Sequence, residues 1–192
     1  SLIDVQRFLF APSRIVATND GAYLRLGRSA PLLDETADSW LVEWPTALGL
    51  QATSIPKSES VQHGYPPLTK AAVFNTALTQ LGRPYGWGGY DGNRDCSRYI
   101  MDILGSFGLK LPRFSGYQAQ SGTETHDVRG LSEREKVRLI QRLGKNAVVL
   151  LYMRGHIMLY LGFAEGRPWA ISSISEYRRP CKDGKAQTVR LD

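Results

Sequence analysis

Cysteine and histidine are scarce in this chain. Its 192 residues hold two cysteines, Cys96 and Cys181, and three histidines, His63, His126 and His156. Two thiols cannot build a disulfide framework or a four-cysteine zinc site. Long apolar runs are missing too. None approaches the roughly 18 residues that span a bilayer, so no transmembrane segment is expected. There is no internal repeat and no low-complexity stretch. The chain opens on Ser1, and that end gives no reading of the compartment. Acidic residues are the minority, 18 against 24 Lys and Arg, for a net charge of +6. The basic residues are scattered. That suits an anionic partner or a solvated basic surface and speaks against a nucleic-acid groove.

What is present is enough apolar material, 42% of the residues, for a real core. Residues 1–56 read as short strands. Residues 13–18 and 22–26 flank Asn19-Asp20-Gly21, a hairpin turn signal. Residues 39–44 alternate apolar and polar, as a half-buried strand does. A small β-barrel or half-barrel is expected here. Residues 57–68 are polar, end in Pro66-Pro67 and read as a linker.

At Thr69 the period changes to a helical one. Thr69 is placed to cap a helix bearing Ala72, Val73, Thr76 and Ala77, and Gly82 stops it. A second helix starts near Asp95, with Tyr99, Ile100, Ile103, Leu104 and Phe107 as its apolar stripe and Gly108 as its C-cap. Residues 110–130 read as a loop. Ser132 and Glu135 form a capping box for a short amphipathic helix. Strands are expected over 147–153, 157–163, 169–174 and 187–191, with turns that include Asp183-Gly184. Helices followed by antiparallel strands make this an α+β pattern.

The stretch 82–99 organises the chain. Gly86, Gly88, Gly89 and Gly92 permit tight turns and close backbone approach, and Tyr85, Trp87 and Tyr90 wall the loop. Cys96 follows at a helix mouth, a setting that favours a thiolate. It reads as a nucleophile and needs a base. His63 lies in the proline-rich linker and His126 in a polar loop. His156 opens an apolar strand after Gly155 and is the favoured base. An orienting partner should lie on the following strand, where Ser172 and Ser173 both stand. They could equally be ordinary strand residues. Cys181, in a basic turn, reads as a spare thiol.

Arg83-Pro84-Tyr85-Gly86-Trp87-Gly88-Gly89, then Asp95-Cys96-Ser97, then Gly155-His156-Ile157-Met158-Leu159-Tyr160-Leu161-Gly162 resemble the NlpC/p60 family of papain-like bacterial cell-wall peptidases. The resemblance covers residues 69–192. More loosely, residues 1–56 resemble a bacterial SH3-like module that accompanies the family, its barrel possibly incomplete. The resemblance implies hydrolysis of the bond between γ-D-glutamate and a diamino acid in peptidoglycan stem peptides, by a monomer in the cell envelope that needs no metal or cofactor. Carried over, Cys96 is the nucleophile, His156 the base and Ser172 the third member. Tyr85 helps form the oxyanion hole, and Asp95, Ser97, Trp87 and Arg98 line the substrate site. Asp95 would meet a substrate's free amine or cap the helix. Arg98 stands where the family usually has glycine, and Ser172 where it usually has histidine. Those departures keep open a wall-binding protein with a decayed catalytic domain; an amidase or acyltransferase on the same scaffold is a third reading.

Overall fold

In a computed structural model, the described residues are 13–181 and 186–191. The expected turn at Asp183-Gly184 lies outside them. The chain forms two units. One takes everything through Leu68 together with Asp102–Leu109; the other takes Thr69–Met101 and the chain from Lys110 onward. The return of Asp102–Leu109 to the first unit was not foreshadowed in the sequence.

The first unit is an antiparallel sheet of β1 (Arg14–Ala17), β2 (Ser29–Glu35), β3 (Ser39–Thr46), β4 (Gly49–Pro56) and β5 (Val61–His63), in the order β4-β3-β2-β1-β5. Alternation in β3 sends Trp40 and Val42 inward, where they meet Ile15, Ala17, Leu24, Ala30, Ile55 and Val61. Each large side chain so buried contributes roughly 1.5–3 kcal/mol.

Three expectations for this unit need correction. No closed barrel forms: among the described residues β4 and β5 are the sheet's edges and do not pair. β5 is three residues long, and Pro66 and Pro67 beyond it have no N–H to extend a ladder. Residues 22–26 are not a strand. The Asp20 carboxylate accepts from the Leu26 N–H at 3.1 Å, which holds them in a loop, and β1 pairs instead with β2 from Ser29 onward. Finally, residues 57–68 are more than a linker, because β5 lies within them and pairs with β1.

The second unit opens with α1 (Lys70–Leu78), whose Thr69 Oγ1 accepts from the Ala72 N–H at 3.1 Å. α2 (Cys96–Gly105), whose last four residues belong to the first unit, buries Tyr99, Ile100, Ile103 and Leu104, the stripe read from the sequence. Within residues 110–130 stands a one-turn helix, α3 (Ser115–Gln118), where a plain loop was expected. α4 (Glu133–Leu143) starts at the capping box of Ser132 and Glu135. Then come β6 (Leu150–Met153), β7 (His156–Ala164) and β8 (Arg167–Ile171), an antiparallel sheet with β7 in the middle. β9 (Glu176–Pro180) and β10 (Ala186–Arg190) form a separate hairpin; β9 was not expected. No helix among the described residues is long and apolar enough to cross a membrane.

Candidate active site

The approach to Cys96 is built from left-handed backbone. Gly88, Gly89 and Gly92 have φ of 66°, 87° and 70°, a region that side chains disfavour. Gly86 is needed for space: a Cβ there would come within 2.5 Å of the Asn93 Cβ. The loop closes where Tyr85 bridges Arg94, and the Gly86 N–H donates to the Arg94 carbonyl at 3.2 Å. Cys96 then begins α2, 7% exposed.

Asp95 anchors this helix mouth. Its Oδ1 accepts from the Arg98 N–H at 2.8 Å, the Ser97 hydroxyl at 3.1 Å and Arg113 Nη1 at 3.0 Å. Its Oδ2 accepts from the Gly88 N–H at 3.1 Å and Arg113 Nη2 at 2.5 Å. Arg113 also donates to Ser97 Oγ at 2.7 Å. Burial alone would push the Asp95 carboxyl up. The Arg113 hydrogen bonds and charge, the Arg98 N–H and the Ser97 hydroxyl outweigh it and hold the group below the usual carboxylate value. The N-cap role is thus present. The carboxylate also accepts five hydrogen bonds, more than its roughly four lone-pair sites. Gln118 supports the same corner, its Nε2 donating to the carbonyls of Ser97 at 2.9 Å and Pro112 at 2.8 Å.

Arg113 and Gln118 are the residues that sequence reading missed. The available signal was the buried acid itself: a carboxylate beside a nucleophile calls for a counterion, and Arg113 stands in the 110–130 loop that was passed over.

Cys96 Sγ lies 4.0 Å from the carbonyl oxygen of Gly155, the residue before His156. β7 therefore delivers His156 next to the contact made by the thiol. Just past the end of β8, Ser172 Oγ lies 3.1 Å from His156 Nε2 and donates to the Ile157 carbonyl at 2.9 Å. A hydroxyl has one hydrogen, and a carbonyl only accepts. The Ser173 carbonyl lies 3.3 Å from the same hydroxyl; with the hydrogen on either carbonyl, the imidazole donates from Nε2 and Nδ1 is the basic nitrogen. Desolvation lowers the His156 pKa from the ordinary histidine value, favouring the neutral ring. Ser173 has a different partner: its hydroxyl donates to the Arg94 carbonyl at 2.7 Å, tying the end of β8 to the segment before Cys96.

Burial pushes the Tyr85 phenol up, as do the neighbouring charges of Cys96 and Asp95, with Arg113 acting against them. Tyr85 therefore stays a hydroxyl donor within electrostatic reach of the thiol. Arg98 is half-buried and Trp87 is 82% exposed. The other histidines stand apart. His63 belongs to the first unit, and His126 pairs with Glu124 on an exposed loop.

The comparisons with known proteins converge on this part of the chain. The NlpC/P60 family matches residues 82–176. A γ-D-glutamyl-L-lysine dipeptidyl-peptidase of Bacillus cereus is 29% identical over 69% of this chain and 38% of its own length. A Mycobacterium tuberculosis protein named as a probable endopeptidase is 43% identical over 28% of this chain and 14% of its own. The solved structure of an NlpC/P60 endopeptidase from Photobacterium damselae subsp. piscicida shares the fold, with a TM-score of 0.63 at 20% identity, over 100% of this chain and 47% of that one. The chain spans less than half the length of each of these relatives. Through residues 82–176, which hold the glycine loop, Cys96, His156 and Ser172, the chain belongs to the NlpC/P60 family.

Proposed function

We propose that this protein is a cysteine peptidase that cuts the bond between γ-D-glutamate and a diamino acid in peptidoglycan stem peptides, and that it works in the cell envelope. The observation that carries the reading is the ordered pair at the end of β8. Ser172 Oγ lies beside His156 Nε2, which supports Nδ1 as the nitrogen that takes the Cys96 proton. The name of the Bacillus cereus relative favours a γ-D-glutamyl bond.

In this mechanism the Cys96 thiolate attacks the scissile carbonyl carbon. The Tyr85 hydroxyl and the backbone N–H at the head of α2 stabilise the oxyanion, an effect of roughly 3–4 kcal/mol per donor in other enzymes. The imidazolium of His156 gives its proton to the leaving amine. The neutral ring then draws a proton from water, which attacks the thioester and releases the acid. Ser172 acts through His156 as a positioning residue. Asp95 and Arg113 fix the helix mouth. For Asp95 to meet a substrate amine as well, one of its present donors would have to yield. Ser97, Trp87 and Arg98 line the approach. The first unit, a meander of β1 to β4 with β5 added beside β1, supports reading it as the SH3-like module.

The test is digestion of L-Ala-γ-D-Glu–diamino acid peptides with mass analysis of the products. Release of L-Ala-γ-D-Glu, abolished by Cys96→Ala, is expected. Release of a different fragment would move the activity to an amidase or transferase. Binding to peptidoglycan without cleavage, together with no alkylation of Cys96 by iodoacetamide, would make this a wall-binding protein.

A further inference from the structure

The basic residues look scattered in the sequence, but the second unit gathers three of them. A concavity beside α4 and the bulged middle of β7 is lined by Arg138, Gln141, Arg142, Lys145, Tyr160 and Phe163. No residue of the Cys96 site borders it.

Its chemistry is one-sided. Among the described residues no carboxylate lines it. Both acids of α4 are engaged elsewhere: Glu133 pairs with Lys136 at 2.8 Å, and Glu135 closes the capping box with Ser132. Arg138, Arg142 and Lys145 are exposed, and among the described residues none makes an ion pair. Arg134, Arg138 and Arg142 recur every fourth residue, so these three share one face of α4, spaced about 6 Å apart along the axis, and Lys145 follows just past the helix end. Like charges at that spacing destabilise a helix. Cations near a helix C-terminus usually offset its carbonyls, but here Lys70 serves that end. Its ammonium donates to the carbonyls of Gly144 at 2.7 Å and Lys145 at 2.8 Å. The row of cations is therefore surplus to the helix.

The hollow itself is shaped by two glycines. A Cβ on Gly144 would come within 2.6 Å of the Tyr160 ring, so only glycine lets the helix end sit this close. Gly162, beside the register shift between β7 and β8, has nothing within 4 Å of where its Cβ would be, and that wall stays open.

We propose that this concavity binds a flexible phosphodiester polymer without bases, with Arg138, Arg142 and Lys145 each meeting a phosphate. Nucleic-acid strands are gripped by stacking on exposed rings. Tyr160 is only 4% exposed here, which leaves Phe163 as the one accessible ring of the lining. A bilayer surface needs projecting apolar residues, and this surface is hollow. The proposal stands independently of the peptidase reading.

The experiment titrates the full chain with lipid-free poly(glycerol phosphate) and measures Kd between 50 and 200 mM salt. Binding is expected to weaken with salt at a log–log slope of about −2, as three phosphate contacts on a flexible strand predict. Arg138→Gln, Arg142→Gln and Lys145→Gln combined should raise Kd at least tenfold (on the order of one decade for lost charge contacts) and flatten the slope. Arg142→Glu alone should weaken binding as well, and Cys96→Ala should leave it unchanged. The proposal is overturned by absence of binding at 50 mM salt, by unchanged affinity in the combined variant, or by tighter binding to oligo-dT or to phosphatidylglycerol vesicles than to the polymer.

Discussion

Two histidines in this molecule are held by serine hydroxyls through Nε2. His156 pairs with Ser172 at 3.1 Å, and His63 pairs with Ser13. Of the two, His63 has the fuller set of partners. Its Nδ1 lies 3.8 Å from the Glu35 carboxylate, and its ring meets Trp40 edge-on with centroids 6.0 Å apart. Glu35 in turn binds Lys57 at 2.6 Å, and Lys57 sits 4.4 Å over the Trp40 ring. Yet both ring nitrogens of His63 are occupied, its side chain is 50% exposed, and its unit contains no cysteine. His156 has one nitrogen held and one open, is withdrawn from water, and follows the residue that the thiol touches. The comparison teaches that partners alone do not suit a histidine to the proposed role of base. An uncommitted lone pair in a partly desolvated place, close to the thiol's contact, does.

The largest effect expected is on turnover. His156→Ala should lower stem-peptide kcat about 10³-fold, while His63→Ala leaves it unchanged; equal losses would erase the distinction. Next comes the serine partner. Ser172→Ala should cost about tenfold in kcat, the size of one hydrogen bond to the imidazole, with little change in KM, and Ser172→Thr should recover most of it. Nitrogen NMR of His156 should lose its Nε2–H preference in the alanine variant, a change that a packing role would not produce. Ser13→Ala should not alter turnover.

Smaller effects concern stability and separate the two ion pairs. The cations are equally exposed, Arg113 at 32% and Lys57 at 31%, but their carboxylates are not: Asp95 is 11% exposed and Glu35 42%. Arg113→Met should therefore cost about 2 kcal/mol in urea unfolding, somewhat under the range for a fully buried pair, and Lys57→Met at most about 0.5 kcal/mol. The smallest change is in pH dependence. The folded Asp95 carboxyl titrates below its unfolded value. Its contribution is therefore complete above about pH 4 and lost as pH falls through the lower folded value. The stability gap between wild type and Asp95→Asn should close over that acid window, and a gap that stays constant would show that the charge is not what matters.

Much of this was legible because its physics is local. Thr69, the α2 stripe and the Ser132–Glu135 box each declare themselves within a few residues, through one cap bond or one helical face. Cys96 and His156 stood out because each sits at a sharp change of pattern. Arg113 did not, since its carboxylate partner lies 18 residues away and nothing beside Arg113 points to it. The turn at Asn19-Asp20-Gly21 misled for a related reason. A dipeptide signal names a turn, but the Asp20 carboxylate closes a longer loop onto Leu26. β5 is three residues long and owes its pairing to β1, so no period could reveal it.

The division of the chain also bears on how the protein is made. The first unit is complete only when Asp102–Leu109 joins the residues that end at Leu68. A ribosome adding about 5–20 residues per second leaves an interval of roughly 2–8 s between the two. During that interval the sheet must persist without its last segment, while the glycine loop and Cys96 emerge. Domain order along a gene is usually read as folding order. In this molecule the first unit starts first and cannot finish before the head of α2 has left the tunnel.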